Sequence, residues 1–372
     1  SPNGTLYGTE RHILSILKFS DRDKFEHFVV TPNRGNFNDI MDEMGIKYFI
    51  AGRPHGYKNT LSDLIKLKGF KDIYKIIKQN DFDIVHSHLN SYGAFIAKLA
   101  GTKKIFHTRH GVFWSQDELE NASWKTKLLQ KLKYKNFDIT IAIGEYEKKT
   151  LVKYFGYPEE KIRLTFNGVE VDEAESKLNT SLNKEALFGT NDFVIGAVGR
   201  LERQKGFDML VKADAKVIQK EKRIKFVIIG EGSLKDELLN LRKELELDSN
   251  LEFIDYKKNI YDYFWNFDLK VQTSLWEGIS YVVLEAMVLG TPVIALSTES
   301  TSGVKEIILE GETGHLIFND YVDTLAERIL SLYNDPERLK SMGLNSRKRI
   351  INKFSERNTA SDMDSHYIES LS

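Results

Sequence analysis

Apolar positions along this chain follow two alternating rhythms. Short apolar runs at Phe25–Val30, Ile84–His88, Lys104–Thr108, Ile139–Ile143, Phe193–Val198, Lys225–Ile229 and Leu251–Ile254 predict buried strands. Between them, apolar residues recur at three- and four-residue spacing, which predicts helices over Thr9–Leu17, Tyr92–Leu99, Phe207–Lys220, Leu234–Glu246, Val322–Asn334 and Pro336–Phe354. A basic stretch, Leu61–Gln79, places apolar side chains at Leu61, Leu64, Ile65, Ile73, Ile76 and Ile77. Ser355, with Asn358 three residues on, is a weak capping pattern that opens a terminal helix. Strands alternating with helices imply parallel sheets covered by helices. The alternation occurs twice, and the polar stretch Gly168–Gly189 separates the two series.

At 372 residues and 41% hydrophobic content, the chain can bury two cores of ordinary size. It has no cysteine, which excludes disulfides and thiolate metal sites and fits a reducing cytoplasm. No apolar run reaches the roughly 18 residues of a membrane span, and no leader peptide is apparent. The net charge of −1 hides a division: residues 1–170 carry +7 and residues 171–372 carry −8. That basic half is too dilute and unclustered to argue for nucleic acid. It suits an anionic surface instead.

The densest chemistry lies in Ser274-Leu275-Trp276-Glu277-Gly278-Ile279-Ser280-Tyr281-Val282-Val283-Leu284-Glu285, which a Gly290-Thr291-Pro292 break carries into another apolar run. The pattern predicts a strand end, a Glu-Gly turn and a helix start, with Glu277 in the turn and Glu285 in the early helix. Ligands of open α/β sheets bind at the carboxyl ends of the strands. A helix start offers unpaired N–H groups to an anion. Phosphate at one end of a ligand and hydroxyls at the other would satisfy both features, as in a nucleotide sugar.

With its flanking Thr-Pro-Val-Ile, this segment resembles the Glu-x7-Glu signature of the retaining glycosyltransferases of family four, which have the GT-B fold. The resemblance runs from Gly8-Thr9-Glu10-Arg11 to Phe354–Ala360. It implies two Rossmann-like α/β domains facing a central cleft, with the terminal helix returning to the first. The expected boundaries are an acceptor-side domain at 1–170 plus 355–372, a linker at 171–188, and a nucleotide-sugar domain at 189–354. In the family a buried strand precedes the Gly-rich loop. Here the loop comes at once after Ser1-Pro2-Asn3-Gly4, with no initiating Met, so a first strand is expected to be missing.

By the same resemblance, Glu285 holds ribose hydroxyls, Glu277 the hydroxyls of the donor sugar, and the helix start at Gly278, Ile279, Ser280, Tyr281 and Val282 the phosphates. Arg200 and Lys205 leave the end of the strand Phe193–Val198, where a forked and a point cation could converge on a diphosphate. The resemblance makes them the pair that neutralises the departing diphosphate. It makes His110, in Thr108-Arg109-His110-Gly111, the active-site histidine meeting the transferred sugar and the acceptor. His86 and His88, one strand earlier, suit core packing as well as a site wall. Gly8 corresponds to the Gly-rich loop, narrowed here to Tyr7-Gly8. Gly230 and Tyr256 follow strands where the family contacts the nucleoside. Gly230-x-Gly232 lacks the third glycine of a dinucleotide fingerprint.

No metal is expected. Asp21/Asp23, Asp81/Asp83 and Asp362/Asp364 match an Asp-x-Asp pattern but read as solvated carboxylates, with Asp81 and Asp83 at the wrong end of their strand. Two lysine-rich stretches, one with Lys58, Lys66, Lys68, Lys71, Lys75 and Lys78, the other with Lys125, Lys127, Lys131, Lys133 and Lys135, fit either a solvated face or docking on anionic lipid. The expectation is a cytoplasmic enzyme, peripheral on the inner face of a membrane. It moves a hexosyl or N-acetylhexosaminyl group from a UDP-sugar to a glycan or lipid-linked acceptor, without a cofactor and with retained configuration. The rival readings are a catalytically silent GT-B-like binding subunit, a dinucleotide-dependent oxidoreductase and a nucleotide-sugar epimerase.

Overall fold

The structure, a computed structural model, describes residues 8–51, 67–89, 91–111, 116–298 and 302–372. It divides into two compact units, one drawn from the described parts of Ser1–Val112, Asp117–Asn167 and Glu356–Ser372, the other from Gly168–Ser355. The first unit runs α1 (Gly8–Phe19), β1 (Phe28–Thr31), α2 (Asn36–Glu43), β2 (Lys47–Ile50), α3 (Leu67–Asn80), β3 (Ile84–His88), α4 (Tyr92–Ala100), β4 (Lys104–Thr108), α5 (Gln116–Glu120), α6 (Trp124–Tyr134), β5 (Ile139–Ala142), α7 (Glu145–Phe155) and β6 (Ile162–Leu164). The second runs α8 (Val171–Ser176), α9 (Lys184–Phe188), β7 (Phe193–Val198), α10 (Phe207–Ile218), β8 (Ile224–Ile229), α11 (Lys235–Glu244), β9 (Leu251–Ile254), α12 (Tyr261–Asn266), β10 (Leu269–Gln272), α13 (Tyr281–Val288), β11 (Val293–Leu296), α14 (Ser302–Ile307), β12 (Gly314–Ile317), α15 (Tyr321–Tyr333) and α16 (Pro336–Lys353). The terminal helix α17 (Glu356–Leu371) packs back on α1.

In the second unit six parallel strands lie in the order β12-β11-β10-β7-β8-β9. The chain builds outward from β7 to β9, then crosses back and lays β10 against the other side of β7, with Leu269 opposite Ile195. Neighbouring strands β7 and β10 therefore send their connections in opposite directions, which opens a crevice beyond their carboxyl ends. Helices cover both faces, so the strands are largely apolar.

In the first unit β3, β4, β5 and β6 form one parallel sheet, and β1 pairs with β2 in another. The strand expected ahead of Gly8, and the apolar positions Leu61, Leu64 and Ile65 with Lys58 and Lys66, lie outside the described residues. Ile16, Phe106, Ile141, Met363 and Tyr367 make a core that joins the sheet to α1 and α17. Asp364 is not a solvated carboxylate: it accepts from Ser20 Oγ at 2.5 Å and from the Asp21 amide at 2.8 Å. It holds the terminal helix to the turn that follows α1.

The stretch expected to be an irregular linker, 171–188, instead carries α8 and α9 and is anchored to the second unit. Asp262 accepts the Asn179 amide at 2.7 Å, and the buried Phe188 stacks on Phe267. Short polar helices like these carry too few turns for periodicity to reveal them. Among the described residues, no helix is long and apolar enough to cross a membrane.

One residue opposes this packing. Asp214, on α10, is fully buried, and neither carboxylate oxygen has a hydrogen-bond partner among the described residues. Burial pushes its acidity well above the usual carboxylate range. A folded-state pKa above the unfolded one means that stability declines as pH rises from about 4, where the unfolded chain gives up its proton. An unsatisfied buried polar group costs roughly 1–3 kcal/mol. Asp214→Asn, close in volume, should therefore melt a few degrees higher than the wild type at neutral pH. The gap should close as pH approaches about 4. A gap that does not change with pH would show that the buried charge is not the cause.

Candidate active site

The crevice between β7 and β10 receives the chemistry. Beyond β7 the chain makes Gly199 and Arg200, then a single 3-10 turn at Arg203–Lys205. Gly206 follows at φ +59°, where a Cβ would lie 2.4 Å from the Thr273 carbonyl oxygen. Only glycine lets these two connections lie so close. Beyond β10, Thr273 Oγ1 donates to the Lys205 carbonyl at 2.8 Å, and the Leu275 amide donates to that of Gln204, also at 2.8 Å. The two strand ends are thereby laced together, and Lys205 is aimed across the crevice.

Its target is Glu277. Lys205 Nζ donates to both carboxylate oxygens, at 2.9 and 3.0 Å. Gln272 Nε2 and Ser274 Oγ donate to Oε2 at 2.7 Å each, and Ser280 Oγ to Oε1 at 3.1 Å. Burial alone would raise the pKa of Glu277. The Lys205 charge and the donated hydrogen bonds outweigh it and hold the acid below its ordinary value. Glu277 is a fixed anion at neutral pH.

Beneath it lies a residue that sequence reasoning missed. Lys270, on β10, is 0% exposed. Side chains two apart on a strand share a face, so Lys270, Gln272 and Ser274 form a column that leads up to Glu277. Lys270 Nζ donates to Gln272 Oε1 at 2.7 Å, and this leaves the Gln272 amide nitrogen facing Ser274 and Glu277. Burial brings Lys270 down to about 7, against the pull of the Glu277 and Glu285 carboxylates and with help from the Lys205 charge. The only signal in the sequence was a cation inside an apolar strand.

Helix α13 begins at Tyr281, with Ser280 at its N-cap, three residues later than Gly278. The Ser280 side chain serves Glu277 instead of capping the helix, so the first α13 amides receive no side-chain oxygen from it. Ile279 and Ser280 are buried, while Gly278 is exposed at the turn. Glu285, one turn into α13, is buried. Arg200 is exposed and reaches Gln204, which donates in turn to the Trp276 carbonyl. Arg200, Lys205, Glu277, Glu285 and the start of α13 thus belong to one crevice. Tyr256 is exposed beyond β9. Gly230 has a steric reason of its own: a Cβ there would lie 1.9 Å from the Gly199 carbonyl oxygen, where the loops after β7 and β8 touch.

The first unit gathers histidines at its own strand ends. His110 adopts φ +65° after β4, and its Nε2 lies 2.9 Å from Nδ1 of His88. His12, one turn into α1 from Gly8, donates Nδ1–H to Asn167 Oδ1 at 3.1 Å and packs edge-on against His110. Nε2 of His12 and Nδ1 of His110 are buried with no hydrogen-bond partner among the described residues. Burial depresses His12 to about 4 and His88 and His110 well below their ordinary value, so all three are neutral at pH 7. Glu147 fixes this loop by accepting from the Gly111 and Ile143 amides. His86 belongs to the core, bonded to Tyr367 and Thr108. His12 escaped the sequence reading because a lone histidine on an apolar helix face carries no signal of its own.

Among the described residues, no group of three or more His, Asp or Glu side chains is placed to hold a metal ion.

Known proteins share this architecture. Residues 7–173 match the family described as Glycosyltransferase Family 4, and residues 179–349 match Glycosyl transferases group 1. The chain is 27% identical over 359 residues to the UDP-Gal:alpha-D-GlcNAc-diphosphoundecaprenol alpha-1,3-galactosyltransferase of Escherichia coli, covering 94% of this chain and 90% of that one. It is 26% identical over 363 residues to the N-acetylgalactosamine-N,N'-diacetylbacillosaminyl-diphospho-undecaprenol 4-alpha-N-acetylgalactosaminyltransferase of Campylobacter jejuni, covering 95% and 94%. The crystal structure of HepE from Anabaena in complex with UDP superposes with a TM-score of 0.81 at 19% identity, over 98% of this chain and 97% of that one.

The buried lysine gives a direct check on the crevice. A folded-state pKa near 7, below the unfolded value near 10.4, means that stability rises with pH between the two. Below about 7 the folded state carries the full cost of a buried charge. Lys270→Met should therefore gain most over the wild type at pH 7 and below, and the gain should shrink towards about pH 10. Thermal midpoints across that range test it. A gain independent of pH would mean that Lys270 is not a buried titrating cation.

Proposed function

We propose, from the premise that this chain belongs to the family four glycosyltransferases and has their GT-B fold, that it moves a hexosyl or N-acetylhexosaminyl group from a UDP-sugar to a glycan or lipid-linked acceptor of surface polysaccharide synthesis, with retained configuration. The observation that carries this reading is the convergence of Arg200, Lys205, Glu277, Glu285 and the α13 start on the crevice between β7 and β10. Relatives whose names specify UDP-Gal and diphosphoundecaprenol-linked sugars support the donor and acceptor classes, as does a like-folded structure that holds UDP. Such acceptors are lipid-linked, which supports work at the cytoplasmic face of a membrane.

In this reading Glu285 accepts two ribose hydroxyls and the α13 amides meet the phosphates. The bond from the anomeric carbon to the phosphate oxygen breaks, and negative charge grows on the diphosphate. Arg200 and Lys205 meet that charge. The acceptor oxygen forms the new bond on the same face, and its proton passes to the leaving phosphate oxygen. Before donor binds, Lys205 is compensated by Glu277, so two half-buried charges are already in place and need no assembly. Glu277 holds the sugar hydroxyls by exchanging its longest hydrogen bond, to Ser280, for one from the donor. His110, neutral at pH 7, meets the transferred sugar as a hydrogen-bonding group. Gly8 and Tyr256 complete the donor contacts. The reaction proceeds without a metal, because the two cations and the helix end supply the positive charge.

Glu285→Ala should weaken UDP binding by about tenfold to a hundredfold, the worth of a charge-assisted hydrogen bond. Calorimetry that finds equal affinity would remove the ribose assignment.

Arg200→Ala and Lys205→Ala should each lower kcat more than they raise the donor KM, because the charge they meet is largest in the transition state. Turnover should persist in excess EDTA. Activity lost in chelator and regained with Mg²⁺ or Mn²⁺ would overturn the metal-free route.

A further inference from the structure

Helix α6 is amphipathic the wrong way round. Its polar side faces the protein: Gln130 is buried beside Arg109, and Thr126 and Tyr134 are half-buried. At about 100° per residue, Trp124, Leu128, Leu129 and Leu132 fall on the opposite side, and they are 70%, 46%, 60% and 47% exposed. The hydrophobic effect normally turns such a stripe inward. Lys125 interrupts the stripe near its amino end, its ammonium 5.8 Å from the Trp124 ring centroid. Lys127 and Lys131 flank the stripe on one side and Lys133 on the other, and no acidic residue lies between Trp124 and Tyr134.

The helix does not need its leucines to stay in place. Ser123 Oγ caps it by accepting the Thr126 amide at 3.2 Å, and Lys98 of α4 donates to the Lys135 carbonyl at its far end at 2.6 Å. Next to that tether, α4 also exposes Phe95 and Leu99, one turn apart. An apolar stripe this wide, left in water and bordered by cations, marks a contact surface.

We propose that α6 is a membrane-seating helix that lies in the interface of an anionic bilayer, with Trp124, Leu128, Leu129 and Leu132 sunk to the acyl boundary and its lysines on the lipid phosphates. Two features select lipid as the occupant. An apolar face bordered by Lys, with Trp at one end, matches the division of a bilayer interface into acyl chains, headgroups and their boundary. Positive charge without acidic neighbours on the helix complements anionic headgroups and not a mixed protein surface. The inference stands on α6 alone and does not depend on the identity of the transferred sugar.

The test is flotation of the full chain with vesicles of phosphatidylglycerol and phosphatidylcholine, and with phosphatidylcholine alone, at low and high salt. Wild type should float with the anionic vesicles and much less with the neutral ones. Lys127→Glu with Lys131→Glu should lower partition at least about 25-fold at physiological salt, since each lysine near the surface contributes about fivefold. Trp124→Ser, Leu128→Ser and Leu132→Ser together should abolish flotation at both salts. UDP-induced thermal stabilisation of these variants, equal to wild type, shows that the fold and the nucleotide crevice are intact. No UDP response in the wild type would count against the transfer reading and leave the membrane result standing. Vesicle binding absent in the wild type, or unchanged in the serine variant, overturns the proposal. So does a wild-type dimer that the serine substitutions dissociate, because the stripe would then be covered by a second copy.

Discussion

The pairing of β10 with β7 is the constraint on which the second unit depends. Had β10 joined the sheet at the β9 edge, the connections after β7 and β10 would lie far apart, and Lys205 and Glu277 would not meet. Placing Leu269 opposite Ile195 brings the two strand ends side by side, and the backbone at Gly206 and Thr273 closes the last gap. The ion pair and the backbone bonds that lace the two strand ends follow from that adjacency.

Buried charge in this unit is tolerated only where it is answered. Glu277 is surrounded by donors, Lys270 lies under two carboxylates, and Lys205 is matched to Glu277. Desolvating an unpaired ion costs several kcal/mol, whereas a hydrogen-bonded cluster recovers most of that cost. Asp214, in the same sheet-and-helix unit, has no such answer among the described residues. The contrast separates a polar group kept by a site from one carried by the core.

The first unit solves a different problem with neutral side chains. Its histidines are packed against one another in a buried space, so charging one would desolvate an ion and charging two would set like charges in contact. Neutral imidazoles donate and accept without that penalty, which suits them to hydroxyl-rich ligands. The glutamate that fixes their loop, Glu147, works through the backbone amides of Gly111 and Ile143. On the outer face, α6 inverts the usual distribution of apolar and polar residues and keeps its place through a cap and a tether.

Much of this was legible from residue order. Short apolar-rich runs gave the strands β3, β4, β7 and β9 at their observed limits, because each is closed by a turn or loop on both sides. The resemblance carried by Glu277 and Glu285 around a Gly turn drew attention to Arg200 and Lys205 as well, and the fold places Lys205 against Glu277. Residue order could not say that β10 lies beside β7, since the order of strands in a sheet is decided by packing between distant segments. For the same reason Lys270, His12 and the inward turn of Gln130 were invisible. Each is an ordinary residue in its local sequence, and only its buried neighbours give it a role. Short helices such as α8 and α9 were lost because a turn or two contains less than one full repeat of the pattern. Periodicity could not say which way the apolar side of α6 faces, because leucines that face water follow the same spacing as leucines that face a core. Only the folded chain shows which side of that helix the solvent meets.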